Sequence, residues 1–233
     1  MGSVGIDEKL PRWAMAIEGL PLLQVQRIDS HFTERAYEPG SNVFRQADRG
    51  ETFFVVVTGQ VRLSHTNVEG KEYVSGIWST DYPLGLVSAV LGQRRIQSVQ
   101  AINQVILRTM NCNDLIDLMA ELPQFSINMS RLLASMARYS IARSGPLALD
   151  SSAGRLARVL VRLAADNDVG KDADGLKRTV SGVRQDDLAM MVGASRPWVS
   201  LTLGSFERQG LISRGRGRIV INDIGTFERV FRS

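Results

Sequence analysis

The sequence predicts an α+β fold in three parts: an N-terminal antiparallel β-sandwich or barrel, a long helix, and a C-terminal pair of short helices followed by a small hairpin. Three observations predict it. Short segments rich in Val, Phe and Thr alternate with turn residues from residue 36 to residue 110. From residue 113 the apolar residues recur with helical spacing instead. Two further helical segments meet at the sequence Gly-Ala-Ser near the C-terminus.

The composition is that of a soluble globular protein. The chain has 233 residues, enough for one large domain or two ordinary ones, with 44% apolar and 22% charged residues. It contains no run of 18 or more apolar residues, and its first residues, MGSVGIDEKLPRW, lack the apolar core of a secretory signal. We therefore expect a cytoplasmic protein with no membrane association.

Few residues of the chain are suited to metal binding or catalysis. Cys112 is the single cysteine, which excludes an internal disulfide and an iron–sulfur cluster held by one chain's thiols. His31 and His65 are far apart in sequence, so we expect no zinc site and favour structural roles for both over haem ligation. No paired carboxylates or Ser-His-Asp set are evident, so the sequence predicts neither an enzyme nor a metal site.

The positive charge lies in the last third of the chain. Residues 1–150 carry 14 Lys and Arg against 15 Asp and Glu, a net charge of −1. Residues 151–233 carry 14 against 9, a net charge of +5. This asymmetry favours a polyanionic partner for the C-terminal part, although a solvated basic surface without a partner would give the same counts.

The N-terminal elements follow from turn residues and alternation. Residues 10–30 predict one or two short helices, broken near Gly19. Strand-like sequence begins at Ala36, and the segment VRLSHTNVEGKEYVSGI is the clearest hairpin, with its turn near Gly70. A further apolar strand-like segment covers residues 98–110.

The middle of the chain predicts a short helix and then a long one. The short helix begins at the N-cap candidate Asn113 and ends before Pro123. In the long helix a heptad stripe is formed by Phe125, Met129, Leu132, Met136 and Tyr139. A second apolar set lies on a different side: Ile127, Ala134, Ala137 and Ile141. Either one face packs on the barrel and the other on a second copy of the chain, or the helix is buried in a monomer; we assign the heptad stripe to a dimer interface.

Gly145 and Pro146 are predicted to end or sharply bend the long helix, as a static cap or as a hinge. This divides the chain into a barrel domain with N-terminal helices (1–122), a dimerisation helix with its hinge (123–149) and a C-terminal domain (150–233). The C-terminal domain opens with the capping residues Asp150, Ser151 and Ser152 and an apolar helical face formed by Leu156, Val159, Leu160 and Leu163. The segment GKDADGLKR is polar and loop-like, and LKRTVSGV is a candidate strand.

Residues 183–212 carry the pattern of a helix-turn-helix. Gly193 allows a tight exit from the first helix, Ser195 is a good N-cap for the second, and Pro197 suits its first turn. In a helix-turn-helix the N-terminal residues of the second helix meet base edges in the major groove of DNA, and a flanking arginine-rich turn suits phosphate contacts. The predicted DNA-binding residues are Ser195, Arg196, Trp198, Ser200, Leu201, Thr202, Arg214, Arg216 and Arg218.

Over roughly residues 36–221 the chain resembles the cAMP receptor protein/FNR family of bacterial transcription regulators. PGSNVFRQADRGETFFVVVTGQVRLSHTNVEGKE is similar to the family's barrel, SMARYSIARS lies at its dimerisation helix, and DDLAMMVGASRPWVSLTLGSFERQGLI aligns without gaps to its helix-turn-helix. The resemblance implies a cyclic-nucleotide-binding-like barrel (a double-stranded β-helix or jelly roll), a winged helix-turn-helix, and a homodimer whose DNA-binding domains are reoriented by an effector in the barrel. It also implies two partners: double-stranded DNA with a two-fold symmetric site, and RNA polymerase.

The segment that would hold the effector departs from the family pattern F-G-E…R-[ST]-A of cAMP binders. Arg95 matches the arginine, but Gly85 or a neighbour stands at the Glu position and Ile96 at the Ser/Thr position, so charge-assisted bonds to ribose and phosphate are lost. We expect no cofactor, and an effector other than cAMP: a small aromatic or anionic metabolite. The expected pocket residues are Trp78, Tyr82, Leu84, Gly85, Leu86, Arg94, Arg95, Ile96, Met136, Tyr139 and Arg143.

Two alternatives remain open at this point. The barrel could be purely structural in an effector-independent regulator, or the atypical segment could still bind cAMP. The DNA-contacting helix departs from the family as well, because Pro197 and Leu201 replace an acidic and a basic residue. The family's usual half-site is therefore not expected, and Leu201 and Trp198 are candidates for contact with a thymine methyl group.

Overall fold

A computed structural model describes residues 11–166 and 177–231; within residues 143–149 it describes the backbone elements and not the side chains. The predicted break near Gly19 is confirmed, since this glycine adopts φ +70° between two short helices. The N-terminal elements are α1 (Ala14–Ile17), α2 (Leu22–Ser30), β1 (Thr33–Tyr37), β2 (Asn42–Phe44), β3 (Thr52–Thr58), β4 (Val61–Thr66), β5 (Glu72–Trp78), β6 (Pro83–Leu84), α3 (Leu86–Leu91), β7 (Ser98–Ala101) and β8 (Val105–Asn111).

The strands of this N-terminal part form two four-stranded antiparallel sheets, in the orders β1-β8-β3-β6 and β2-β7-β4-β5. The predicted hairpin is β4–β5, and Gly70 in its turn has φ +80°. The apolar inward faces of the strands pack into two buried clusters, one of which continues into the helices below. The α+β fold class with a β-barrel of jelly-roll type is therefore confirmed.

The short helix after the barrel is α4 (Cys112–Glu121), and its N-cap lies two residues earlier than predicted. Its N-cap is Asn111, whose side-chain Oδ1 accepts a hydrogen bond from the backbone N–H of Asn113 at 2.8 Å. The prediction of Asn113 as N-cap was wrong because Asn occupies both positions, and only the backbone path out of β8 decides which one caps.

The long helix is α5 (Pro123–Leu149), and it continues through Gly145 and Pro146. The predicted helix end at these two residues is therefore wrong. A proline removes one intrahelical hydrogen bond, and a helix of this length keeps the bonds on either side of it. The chain leaves the helix at Asp150, and the next helix begins at Ser152.

The heptad stripe of α5 faces the barrel of its own chain, so its assignment to a dimer interface is wrong. Phe125, Met129 and Leu132 have no exposed surface and belong to the buried cluster that joins the barrel and the N-terminal helices. Met136 packs at the edge of that cluster, and Tyr139 lies in the second barrel cluster. Spacing places these five residues on one face but does not say which surface covers that face.

The second apolar set of α5 is the exposed one. Ile127 is 48% exposed and Ile141 is 71% exposed, and Ala134 and Ala137 lie between them on the same side. With Ser130 these residues follow each other at spacings of 3, 4, 3 and 4. We call Ile127, Ser130, Ala134, Ala137 and Ile141 the small-residue stripe.

The C-terminal elements are α6 (Ser152–Asp166), β9 (Arg178–Ser181), α7 (Gln185–Val192), α8 (Arg196–Arg208), β10 (Ile212–Gly215), β11 (Arg218–Ile221) and α9 (Ile224–Val230). The strands form one antiparallel sheet in the order β10-β11-β9. Ser151 caps α6 by accepting a hydrogen bond from the N–H of Gly154 at 3.1 Å. The predicted apolar face of α6 is buried in the core of this unit, and most of the segment GKDADGLKR lies outside the described residues.

The barrel and the C-terminal unit share a buried contact. Val74 and Ile77 of β5 belong to the same apolar cluster as Leu188 and Met191 of α7. Because side chains alternate along a strand, the neighbouring Trp78 faces the barrel interior instead. Strand β5 therefore contacts the inside of the barrel on one face and the helix-turn-helix on the other.

Arg62 of β4 lies at the edge of this contact. Its Nε donates a hydrogen bond to Asp187 Oδ1 of α7 at 2.8 Å. Its two terminal nitrogens donate to the carboxylate of Glu72 on β5, at 2.8 and 2.7 Å. One guanidinium thus joins both parts of the chain through charge-assisted bonds. Within residues 11–166 and 177–231, every helix is too short or too polar to cross a membrane.

Candidate DNA-binding surface and effector cavity

Helices α7 and α8 form the predicted helix-turn-helix. Gly193 ends α7 with φ +67°, a left-handed conformation that residues with a side chain rarely adopt. Ser195 caps α8 by accepting a hydrogen bond from the N–H of Trp198 at 3.4 Å, and Pro197 lies in the first turn. Val199, Leu203 and Phe206 of α8 are buried in the unit's core. The outer face of α8 is therefore fixed relative to the rest of the unit.

Of the residues predicted to contact bases, four are exposed on α8 or at its cap: Ser195, Arg196, Ser200 and Leu201. Arg196 lies 3.7 Å from a carboxylate oxygen of Asp186, and both side chains are largely solvated, so this contact leaves the guanidinium available to another partner. Its position in the first turn suits a guanine edge or a phosphate.

The two remaining predicted residues of α8 are turned toward the protein. Trp198 is half-buried and packs against the core of the C-terminal unit. Thr202 is also half-buried, and its hydroxyl donates a hydrogen bond to the carbonyl of Trp198 at 2.9 Å. Both side chains therefore support the helix. The exposed Leu201 is better placed than either of them to contact a base.

The three arginines of the β10–β11 hairpin have different surroundings. Arg214 is held by Glu207 of α8, with its backbone N at 3.1 Å and its Nε at 2.8 Å from the two carboxylate oxygens. These bonds lower the pKa of the Glu207 carboxyl. Arg216 and Arg218 are exposed at the tip of the hairpin. The hairpin thus presents two solvated guanidinium groups and one that braces it on α8.

A cavity of about 270 Å³ lies between the barrel and α5. Nine of the eleven predicted pocket residues line it: Trp78, Tyr82, Leu84, Gly85, Leu86, Arg95, Ile96, Met136 and Tyr139. The other wall includes residues that were not predicted for the pocket, among them Phe44, Ser88, Leu133, Ala137 and Ser140. Leu133, Ala137 and Ser140 have helical spacing on α5 and lie beside the face that covers the barrel.

Arg95 is the buried cation of the cavity, with 4% of its surface exposed. One terminal nitrogen donates to the carbonyl of Gly85 at 3.1 Å, and the other donates to the carbonyl of Thr52. The guanidinium lies 4.3 Å from the ring centroid of Phe44, in cation–π geometry. Its Nε is buried and has no hydrogen-bond partner among the described residues.

No described carboxylate forms a salt bridge with Arg95, and the charge of Asp48 offsets its burial only in part. Burial lowers the pKa of its guanidinium, because a charged group is less stable away from water. The adjacent Cys112 does not supply a counter-charge, because burial raises the pKa of this thiol and its Sγ donates to the carbonyl of Gly50 at 2.9 Å. The cavity therefore contains a desolvated positive charge with one unused donor.

The aromatic wall of the cavity is formed by Trp78, Tyr82 and Tyr139. The rings of Trp78 and Tyr82 are stacked, with centroids 4.0 Å apart and planes inclined by 14°. Tyr139 of α5 lies 5.3 Å from Trp78. The indole Nε1 of Trp78 is buried without a hydrogen-bond partner among the described residues. Trp78 thus lines the cavity and has an unused N–H donor, which lies beside Gly76.

Arg94 does not line the cavity, so its prediction as a pocket residue is wrong. It is exposed, and its guanidinium donates to the carbonyl of Ala47 at 2.8 Å. Consecutive side chains of an extended segment point to opposite sides, so only one of the two arginines can point into the cavity. In this fold it is Arg95. The side chain of Arg143 lies outside the described part, although its backbone belongs to α5.

Gly85 adopts φ +74°, and a Cβ placed on it would lie 2.1 Å from a terminal nitrogen of Arg95. The buried guanidinium therefore fills the space that the Cβ of a glutamate at position 85 would need. Ile96 borders the cavity but is 58% exposed. In the described ranges, no group of three or more His, Cys, Asp or Glu could hold a metal ion.

Together the barrel with its cavity, the long helix and the helix-turn-helix with a basic hairpin define a DNA-binding transcription regulator with a sensor-type domain. The family model of the cyclic nucleotide-binding domain matches residues 34–121, and that of the Crp-like helix-turn-helix domain matches residues 154–230. These matches correspond to the barrel and to the C-terminal unit.

The curated relatives include the cyclic AMP receptor protein of Thermus thermophilus, which is 26% identical over 91% of this chain and 94% of its own length. The CRP-like cAMP-activated global transcriptional regulator of Mycobacterium tuberculosis is 25% identical over 94% of this chain and 96% of its own length. The chain belongs to the cAMP receptor protein/FNR family of transcription regulators.

Solved structures share the fold. FixK2 from Bradyrhizobium japonicum has a TM-score of 0.76 at 18% identity and covers 85% of this chain and 96% of its own. CLP from Xanthomonas campestris, described as a c-di-GMP responsive global regulator, has a TM-score of 0.72 at 19% identity, with 86% and 99% coverage. At these identities the likeness concerns the fold alone.

Proposed function

We propose that this chain is a cytoplasmic, homodimeric and ligand-responsive transcription regulator whose effector is a small aromatic or anionic metabolite other than cAMP. It would bind double-stranded DNA at a two-fold symmetric site and act on RNA polymerase, and it would catalyse no reaction. The observation that carries the ligand-responsive part is that two residues lining one cavity each have a buried donor without a described partner, Arg95 Nε and Trp78 Nε1.

A buried donor without an acceptor costs about 1–3 kcal/mol, and more when the group is charged. An effector that brings acceptor atoms to Arg95 and Trp78 would recover this cost on binding. The charge of Arg95 favours an anionic group, and the stacked rings of Trp78 and Tyr82 favour a planar one. A carboxylate on an aromatic ring supplies both features.

The case against cAMP rests on Gly85 and its neighbours Leu84 and Leu86, none of which offers a carboxylate to a ribose hydroxyl. The guanidinium of Arg95 also fills the space beside Gly85. Ile96 likewise offers no hydroxyl to a phosphate. An atypical mode of cAMP binding is favoured by the match to the cyclic nucleotide-binding domain and by the hydroxyl-bearing Ser88 and Ser140 in the cavity wall.

An effector-independent regulator is the second candidate. It is favoured by the two backbone acceptors, on Gly85 and Thr52, that already hold the terminal nitrogens of Arg95. In that case Arg95 would serve the packing of the barrel alone, and the cavity would not affect DNA affinity.

Homodimerisation is proposed through the small-residue stripe. Ile127 and Ile141 are exposed apolar residues two heptads apart, and the alanines and serine between them would let two helices approach closely. Ala137 belongs to this stripe and also lines the cavity. A dimer formed here would place the cavity next to the subunit interface.

The test is calorimetry on the folded chain with cAMP and with benzoate-type aromatic acids and their thioesters, followed by DNA affinity with and without each ligand. The expected result is saturable binding of an aromatic acid that changes DNA affinity. Trp78→Phe should weaken this binding because it removes only the N–H donor and keeps a ring, whereas Trp13→Phe, outside the cavity, should not. Micromolar cAMP binding that changes DNA affinity would replace the effector assignment. Sequence-specific DNA binding that no ligand alters would favour the effector-independent regulator.

A further inference from the structure

Leu201 is a large apolar side chain that the protein itself does not bury. It is 74% exposed on α8 and belongs to none of the buried clusters, whereas Val199 and Leu203 on either side of it are fully buried. An exposed leucine stabilises neither the helix nor the core by burial. Leu201 lies on the helix that is predicted to face DNA, so DNA is the surface that can cover it.

The surroundings of Leu201 leave it projecting from the helix. Pro197 precedes it by about one turn, and Gly204 follows it by about one turn on the same side. Gly204 has no side chain, and a Cβ placed there would have only the ends of Arg208 and Arg214 within 4 Å, at 3.6 and 3.8 Å. DNA can therefore approach this side closely, and Leu201 is the side chain that would enter the groove there.

The chemistry of Leu201 limits what it can contact. Its isobutyl group neither donates nor accepts hydrogen bonds, and Pro197 on the same face also lacks a side-chain donor. In the major groove, guanine, cytosine and adenine present polar edges, and thymine alone presents an apolar group, its 5-methyl. Leucine against a polar edge would desolvate that edge without replacing its hydrogen bonds.

We propose that Leu201 contacts the 5-methyl group of a thymine in the DNA half-site and so selects an A·T pair there. Arg196 lies five residues earlier, in the first turn of α8, and is also exposed. Five residues span about 7.5 Å along a helix, which corresponds to about two base-pair steps. The thymine therefore lies within about two base pairs of the position contacted by Arg196. This assignment rests on the proposed function, because it requires sequence-dependent DNA binding by α8.

The experiment removes the methyl group and nothing else. In vitro selection with the full-length protein first gives the preferred half-site, and single thymines in it are then replaced by deoxyuridine. Affinity is measured by fluorescence anisotropy for the wild type, Leu201→Ala and the matched control Leu23→Ala, a similarly exposed leucine on α2. All three proteins should remain folded because both positions are exposed.

For the wild type, deoxyuridine at one thymine position should weaken binding about fourfold per half-site, the value expected for one buried methyl group. The same difference should persist in Leu23→Ala and disappear in Leu201→Ala. A thymine-to-deoxyuridine difference that survives in Leu201→Ala, or a selected half-site with no thymine preference, would overturn the assignment.

The outcomes for the proposed function are separate. Selected sites without two-fold symmetry would contradict the symmetric-operator part of that proposal. The comparison of thymine with deoxyuridine within a single half-site would still decide the role of Leu201. Conversely, a symmetric site with no effect of the methyl group would leave the regulator proposal intact and reject the contact.

Discussion

The contact between the barrel and the helix-turn-helix makes a quantitative prediction through Arg62. Replacing Arg62 by Met keeps an unbranched apolar side chain and removes the guanidinium with its charge. In the folded chain Arg62 and Asp187 have side chains only 13% and 11% exposed, and Glu72 is 34% exposed. The variant therefore leaves one buried carboxylate and one partly solvated carboxylate without their cation.

Removing one partner of a buried ion pair costs about 3–5 kcal/mol. Two features reduce this value for Arg62→Met. Asp187 also accepts a backbone hydrogen bond from Arg184 at 3.4 Å in the first turn of α7, where the helix dipole favours a negative charge. Glu72 can turn to solvent. We expect a loss of about 3 kcal/mol in the free energy of unfolding.

The assay is urea unfolding of the full chain, followed by circular dichroism and tryptophan fluorescence so that separate transitions of the two parts are detected. Adding Asp187→Asn to Arg62→Met should restore about 1–2 kcal/mol, because it removes the uncompensated buried charge. Arg35→Met, at an exposed position of β1, is the control and should change stability by less than about 0.5 kcal/mol. The reasoning is refuted if Arg62→Met behaves like this control, or if the second substitution adds to the loss.

Three further predictions concern pH, assembly and DNA. The hydrogen bond from Arg62 holds the pKa of the Glu72 carboxyl below its usual range. The stability it gives should be present above the usual carboxyl pKa and lost as pH falls through the lowered one, so Glu72→Gln should flatten the acid limb of a melting-temperature profile. Ile141→Glu should yield monomers by analytical ultracentrifugation. The control Ile116→Glu, at an exposed position on α4, should remain dimeric. If both variants are dimers, the interface is not on the small-residue stripe. Arg196→Ala should weaken binding to the selected DNA by about 1–3 kcal/mol if the guanidinium contacts a base, and unchanged affinity would remove it from the contacts.

Much of the candidate site could be predicted because its signals are local. The cap at Ser195, the glycine at position 193 and the proline at position 197 depend on neighbours within a few residues, and they identified the helix-turn-helix with its boundaries. The glycine at position 85 and the arginine at position 95 were recognised by their place in a family pattern, and both line the cavity.

Other assignments failed or changed where two candidates are equivalent in sequence. Arg94 and Arg95 are adjacent and identical, and only the direction of the chain after α3 decides that the second one enters the cavity. Arg214 resembles Arg216 in the sequence, but Glu207 from a different element holds the first and leaves the second in solvent. These distinctions depend on the path of the backbone and on residues brought from elsewhere.

The sequence by itself determined the order of barrel, long helix and helix-turn-helix, because periodicity, caps and turns act over one or two helical turns or a single hairpin. It also determined that α5 has two apolar faces. Only the tertiary structure decided that the face with Phe125 covers the barrel while the face with Ile141 stays exposed. It likewise decided that Arg62 joins the barrel to Asp187. A helical period fixes which residues share a face, whereas the partner of that face is set by the shape and buried area of surfaces far away in the chain.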